Sequence, residues 1–430
     1  MERAELLASF DAIRQTTEQI CQPLVTEDYV IQSMADVSPP KWHLAHTTWF
    51  FERVVLQQFA DSYRAYNDKY HFLFNSYYQS FGDRWPRDIR GTLSRPTVRE
   101  VYDYRSAIDE RTRIFVRSVE ETKYREIADL VILGLHHEQQ HQELLVTDIK
   151  HILAFNPLRP AYRQQRGEAR RPSKNSGAPT APTFVDVEGG VFQMGANGEG
   201  FAWDNERPKH SIFVNDFSLM NRLVTNGEYI QFMTDGGYEN PLLWLSDGWD
   251  AVTRNGWQAP LYWEKVEGEW QMVTLDGIRP IVQDEPAAHV SYYEAAAYAR
   301  WADKRLATEA EWEKASALVK TSPSCGNFLE SGFLHPVGLG QAPGVNGSGL
   351  SQMFGDVWEW TASAYLPYPG YKQQAGPLGE YNGKFMINQM ILRGGSCATP
   401  RTHIRPTYRN FFQCDKRWQF TGIRLASDRI

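Results

Sequence analysis

The chain has 430 residues, 42% of them hydrophobic and 23% charged, with a net charge of −7 and a pI near 5.9. That length exceeds one ordinary core and predicts two or three domains, and the acidic balance excludes a mainly nucleic-acid-binding role. No run reaches the ~18 apolar residues of a membrane span, the start Met1-Glu2-Arg3-Ala4-Glu5-Leu6-Leu7 has no basic-then-apolar leader pattern, and Cys21, Cys325, Cys397 and Cys414 lie too far apart for a disulfide framework, so a cytoplasmic protein is expected.

The first third reads as helical. Leu6, Leu7, Phe10 and Ile13 give an apolar spacing over Glu2 to Cys21. Ser38-Pro39-Pro40 announces a second helix, with Ser38 as N-cap and proline in the first turn, running through His43 and His46 to Glu52. A third helix starts at Thr97 and carries Val101, Tyr104 and Ile108. A fourth spans at least Leu130 to Lys150. Four helices of this length predict a bundle, a common housing for metal sites. A long loop, 61–96, separates the second and third helices. Its aromatic content (Phe72, Phe74, Tyr77, Tyr78, Phe81, Trp85) marks it as ordered and functional. The polar, Pro/Gly/Ser-rich stretch 161–182 is a linker dividing a domain 1–160 from a domain 183–430. In the latter, short strand-like runs alternate with glycine turns and tryptophans. Two helices, Asn226–Thr234 and Tyr292–Lys304, interrupt them, which is an α+β pattern.

His137-Glu138-Gln139-Gln140-His141 carries the chemistry. Histidines four apart share one helical face and reach one ion. Leu130, Leu133, Leu144, Leu145 and Asp148 continue that face. His136 points about 100° away, and His151 lies about 15 Å further along a continuous helix. The pattern is also the zinc-protease signature, with the glutamate as general base. No third ligand follows it downstream, whereas His43 or His46 on the second helix faces the pair across a bundle. Helical periodicity does not choose between those two. Three neutral imidazoles would suit Fe, Zn, Cu or Ni alike. Tyr77-Tyr78 are either packing aromatics or phenols beside a metal. Arg84, Arg87, Arg90 and Arg95 are either a solvated face or a carboxylate clamp.

The second domain holds ordered motifs: Glu188-Gly189-Gly190-Val191-Phe192-Gln193-Met194-Gly195, Pro286-Ala287-Ala288-His289-Val290-Ser291, Arg305-Leu306-Ala307-Thr308-Glu309-Ala310-Glu311-Trp312, Gly355-Asp356-Val357-Trp358-Glu359-Trp360 and Arg393-Gly394-Gly395-Ser396. Together they resemble the formylglycine-generating-enzyme (sulfatase-modifying-factor) superfamily, which has a C-type-lectin-like fold. Ser38-Pro39-Pro40-Lys41-Trp42-His43-Leu44-Ala45-His46 with the His137 motif resembles a DinB-like four-helix bundle. That domain order resembles the EgtB-type sulfoxide synthases of ergothioneine biosynthesis.

The resemblance implies an Fe(II) site on His46, His137 and His141. It implies O2-dependent joining of a thiol, cysteine or γ-glutamylcysteine, to C2 of the hercynine imidazole, with oxidation of the sulfur to a sulfoxide. It assigns the catalytic tyrosine to Tyr77 or Tyr78, ahead of Tyr371 and Tyr381. Gln140 is expected to hydrogen-bond the hercynine imidazole, and Arg87 and Arg90 to hold the thiol's carboxylate. Asn410, Phe411 and Phe412 match the segment lining the hercynine site, although some relatives have Trp-Asp in place of Phe411-Phe412. Glu138 becomes an outer or structural residue rather than a protease base, and Cys397 and Cys414 are expected to be inert. The alternatives are an ovothiol-type synthase, a zinc metallohydrolase and a lectin-like binding module.

Overall fold

The computed structural model describes residues 1–163, 181–198, 200–319, 325–339, 349–373 and 377–429. Most of the expected linker 161–182 therefore lies outside the described residues. The chain forms two compact units. One is Met1–Arg163 together with Gln374–Tyr381, and the other is Gln164–Gln373 together with Asn382–Ile430. Among the described residues no helix is long and apolar enough to cross a membrane.

The first unit is built on four long helices: α1 (Arg3–Cys21), α2 (Pro40–Phe50), α5 (Val98–Ser118) and α6 (Glu121–Phe155). Each of the four touches the other three. Two short helices, α3 (Gln57–Phe59) and α4 (Tyr70–Phe74), lie between α2 and α5. All eleven residues of α2 are buried, as befits a helix enclosed on every side. It starts at Pro40 with Pro39 as its N-cap, not with Ser38. Ser38 is engaged elsewhere: its N–H donates to Asp148 Oδ2 at 2.8 Å and its hydroxyl accepts from Arg90 at 2.9 Å.

Beyond Phe50 the chain winds as a π-helix, Phe51–Leu56. Buried Glu52 in that turn accepts from Tyr63 Oη, Tyr66 N and Tyr104 Oη at 2.9, 2.7 and 2.6 Å, tying the following loop to α5. α5 begins in a reciprocal cap between Thr97 and Glu100, which satisfies otherwise orphaned donors. α6 has 35 residues, about 50 Å of uninterrupted helix. Gly134 lets α2 approach it: a Cβ there would lie 2.8 Å from both the Phe50 and Phe51 rings.

The second unit is strand-rich. Its β-strands are β1 (Phe184–Val187), β2 (Gly190–Met194), β3 (His210–Val214), β4 (Phe217–Met220), β5 (Trp263–Val266), β6 (Glu269–Thr274), β7 (Gly277–Pro280), β8 (Arg305–Leu306), β9 (Trp358–Ala364), β10 (Met390–Arg393), β11 (Asn410–Phe412), β12 (Thr421–Gly422) and β13 (Leu425–Asp428). They form sheets in the orders β1-β4-β13-β8, β11-β10-β9-β12, β5-β6-β7 and β2-β3. All pairings are antiparallel except β12 with β9. Among the described residues four α-helices accompany them: α7 (Asn226–Thr234), α8 (Ser246–Asn255), α9 (Tyr292–Trp301) and α10 (Glu309–Ser316).

The sequence motifs of this unit do structural work. Trp358 and Trp360 are buried. Glu359 accepts from Trp312 Nε1 at 2.8 Å and from Arg424 at 2.8 and 3.0 Å. Gly355 sits at φ 85°, where a Cβ would strike Asn327 O at 2.4 Å, so only glycine fits that turn. Glu309 accepts from both Arg393 and Arg409 in a buried cluster.

Candidate metal centre

α2 and α6 face each other through histidines. One ring nitrogen from each of His46, His137 and His141 lies within 4.8 Å of the other two, and all three residues are buried. His46 Nε2 and His137 Nε2 are 3.3 Å apart. His46 Nδ1–H donates to the Phe74 carbonyl at 2.6 Å, which leaves the Nε2 lone pair directed to the cluster. The His46 ring lies between two tryptophans, stacked on Trp42 at 4.6 Å and on Trp49 at 5.5 Å. Positions 42, 46 and 49 share one helical face, so the sandwich follows directly from α2 being helical. Phe50 covers His137 at 4.9 Å, and Gly134 makes room for that ring.

The three imidazoles are held neutral. Burial lowers the pKa of each, to about 4 for His137 and well below 6.5 for His46 and His141, where repulsion from His137 adds to the effect. Neutral imidazole is the form that ligates metals. Among the described residues, His137 Nδ1 is buried without a hydrogen-bond partner. Three imidazole nitrogens converging in a buried site form a donor set that fits a divalent transition metal.

Glu138 faces away from the cluster. Its Oε1 accepts from Thr17 Oγ1 and Arg105 Nη2, both at 2.6 Å, and its Oε2 accepts from Arg14 Nη1 at 2.7 Å. Burial pushes its carboxyl up, but Arg105 and Arg14 outweigh that and hold it down to about 2. A carboxylate so strongly paired is a poor proton acceptor and is not placed as the general base of a zinc hydrolase. His151 is likewise engaged elsewhere, its Nδ1 lying 2.6 Å from Ser33 Oγ.

Several other predicted residues also fall in this unit. Tyr78 packs on Trp49 at 5.9 Å and Tyr77 packs on Tyr78 at 4.8 Å. Burial raises both phenols, so they are protonated at neutral pH. Tyr381 comes from the distant segment Gln374–Tyr381. Its ring lies 5.7 Å from Tyr77 and 6.0 Å from His137. Glu380 beside it anchors that segment by accepting from Gln79 N and from Ser80 N and Oγ. Arg90 is buried, with its guanidinium 3.4 Å above the Trp42 ring and hydrogen bonds to Ser38 Oγ and Ser76 Oγ. Arg87 is exposed and donates to the Asp36 carbonyl at 2.7 Å. Gln140 is half-buried on α6, one position before His141.

In the second unit Asn410, Phe411 and Phe412 form β11, and Phe411 stacks on Tyr365 at 4.0 Å. Tyr371 donates to Asp204 at 3.0 Å. All four cysteines are unpaired with one another; Cys397 is buried, and burial raises the Cys414 thiol.

Comparisons with known proteins match residues 169–429 to the sulfatase-modifying factor enzyme 1-like domain and residues 9–145 to the DinB superfamily. The hercynine oxygenase of Mycolicibacterium smegmatis is 34% identical over 317 residues, covering 69% of this chain and 71% of that protein. The hercynine oxygenase of Mycolicibacterium thermoresistibile is 35% identical over 329 residues, covering 70% of each. The chain belongs to the hercynine oxygenase family. A formylglycine-generating enzyme of Mycobacterium tuberculosis is 29% identical over 57% of this chain and 98% of its own length.

In this member of the hercynine oxygenase family, sequence reasoning passed over Trp42 and Trp49 as neighbours of His46. Their signal was present as aromatics four before and three after a histidine on one helix. The placement of Tyr381 next to Tyr77 and His137 had no local signal, because it arises from a long-range return of the chain.

Proposed function

We propose that the chain is an iron(II)-dependent sulfoxide synthase of the hercynine oxygenase type, joining a cysteine or γ-glutamylcysteine thiol to C2 of the hercynine imidazole. The C–H and S–H bonds break, C–S and S–O bonds form, and the two hydrogens leave with the second oxygen atom of O2 as water. The observation that carries this reading is the convergence of three buried, neutral histidine nitrogens in a chain of this family.

Iron(II) held by His46, His137 and His141 would supply open coordination positions and electrons for O2 reduction. The surrounding residues do the rest. Trp42, Trp49 and Phe50 exclude water and fix the rings. Arg90, whose buried Nε has no hydrogen bond among the described residues, is suited to the thiol substrate's carboxylate, a charge-assisted contact. Gln140 donates to or accepts from the hercynine imidazole. Tyr77 and Tyr78 stay protonated and offer a proton where the new S–O group forms.

The test is turnover of hercynine with cysteine, and separately with γ-glutamylcysteine, under iron(II) and O2 with mass detection. The reading predicts a product equal to both substrates minus two hydrogens plus one oxygen. Histidine in place of hercynine serves as the control for an ovothiol-type reaction. No product with either thiol, together with peptide hydrolysis by a zinc-loaded, iron-free sample, would overturn the reading.

A further inference from the structure

The three clustered histidines are not held alike. His46 is oriented by a backbone carbonyl, and His137 Nδ1 has no hydrogen-bond partner among the described residues. His141 is oriented by another histidine: its Nδ1 lies 2.9 Å from His43 Nδ1, and His43 Nε2 lies 3.0 Å from Asp148 Oδ2. All three residues are at least nine-tenths buried. The arrangement spans two helices. Asp148 is seven residues beyond His141 on α6, about 10 Å along the axis on the same face, and His43 reaches across from α2 to bridge them. The Ser38 N–H, just before α2, donates to the same carboxylate oxygen at 2.8 Å and fixes it in place.

The proton positions follow from the donor inventory. A carboxylate only accepts, so His43 donates through Nε2. With one N–H on each ring, His43 Nδ1 is then an acceptor, and its hydrogen bond comes from His141 Nδ1–H. That leaves the His141 lone pair on Nε2. Without the carboxylate, His43 is free to carry its proton on Nδ1, which forces the His141 proton onto Nε2, where a metal needs a lone pair.

We propose that Asp148 and His43 form a positioning relay that locks His141 in the Nδ1–H tautomer and so presents its Nε2 to a divalent metal. The relay rests on the reading that His46, His137 and His141 hold that metal. Outer partners of this kind change metal affinity by about 10- to 100-fold. A buried histidine that merely fills space would leave neither the tautomer of its neighbour nor the metal affinity dependent on a carboxylate two helical turns away.

Two measurements on the full chain test the relay. Long-range ¹H–¹⁵N correlation on histidine-labelled, metal-free wild type reads the tautomer of His141, and Nδ1–H is expected. An Nε2–H ring overturns the relay, whatever the variants do. Cobalt(II) titration then reads affinity. Asp148→Leu and His43→Phe should each weaken binding by about 10- to 100-fold. The double variant should be no weaker than the worse single one, because Asp148 acts only through His43. Asp148→Asn, whose amide oxygen can still accept from His43 Nε2–H, should recover most of the affinity. Variants that stay within twofold of wild type overturn the proposal. Should wild type bind no cobalt(II), the metal reading itself fails, and the tautomer in the metal-free chain still decides the hydrogen-bond chain. If either variant unfolds, the wild-type tautomer and Asp148→Asn carry the test.

Discussion

His137 and Glu138 are neighbours on α6, yet they occupy opposite electrostatic worlds. On the face turned to α2, His137 and His141 are stripped of water and kept neutral. On the face turned to α1 and α5, Glu138 is equally dry but kept charged by Arg14 and Arg105, with Thr17 adding a third hydrogen bond. Gln142 continues that second face, donating to the Ile13 carbonyl and Thr17. One helix thus separates a ligand face from a clamp face by a rotation of about 100°. The contrast teaches that a His-Glu-x-x-His pattern does not by itself assign the glutamate to chemistry. What decides is whether the partners around the carboxylate hold it ionised and turned away from the ligand nitrogens.

Four changes break or sharpen that contrast. The largest effect is expected on the ligand face: His46→Ala should weaken iron(II) binding by more than the 10- to 100-fold typical of an outer partner, read by anaerobic titration. Unchanged iron content would remove His46 from the centre. On the clamp face, Glu138→Gln removes the buried carboxylate shared by Arg14 and Arg105, leaving Arg14 with Asp109 and Arg105 with the half-exposed Glu18, and should destabilise the chain by about 3 kcal/mol in urea unfolding. A full-strength fold with lost turnover would instead give Glu138 a chemical role.

The pH dependence separates the regions further. In the metal-free chain, unfolded histidines take up protons near 6.5 while folded His137 resists until about 4. Its contribution is therefore intact above 6.5 and lost as pH falls toward 4, on the order of 3 kcal/mol. Asp356 in the second unit has the opposite slope. Burial raises it to about 6, so its contribution is intact below its unfolded value of 3.8 and lost as pH rises through about 6. Chemical denaturation from pH 4 to 7 with and without zinc(II) reads the histidine part: bound metal keeps the folded histidines unprotonated to lower pH, so the loss on acidification should be at least as large with zinc(II) as without it. The smallest effect is Gly134→Ala. The added methyl meets Phe50 and Phe51 at 2.8 Å, and such overpacking costs about 1–3 kcal/mol. It should also disturb the Phe50 ring over His137, visible as a change in the cobalt(II) spectrum.

The histidine pair was legible because i,i+4 spacing is a local rule. The choice between His43 and His46 was not, and the geometry shows why. Both face α6, His46 toward His137 and His43 toward His141 and Asp148, so periodicity had no means to rank them. Asp148 was visible as the one polar break in an otherwise apolar stripe. Ser38 read as a cap because serine before proline usually is one, whereas here tertiary partners claim both its N–H and its hydroxyl. α10 went unread although Thr308 and Glu311 form a reciprocal cap. α8 had less to offer, since Leu245 precedes it without a side-chain cap. Tyr381 reaches the bundle through contacts more than 200 residues apart in sequence, which no local pattern encodes.

The most direct test of the central claim is a crystal structure of the iron-loaded chain with anomalous data at the iron edge. The account predicts one iron peak bound by His46, His137 and His141, with Glu138 still held by Arg14 and Arg105. A peak elsewhere, or Glu138 released from its arginines and turned to the metal, would contradict it.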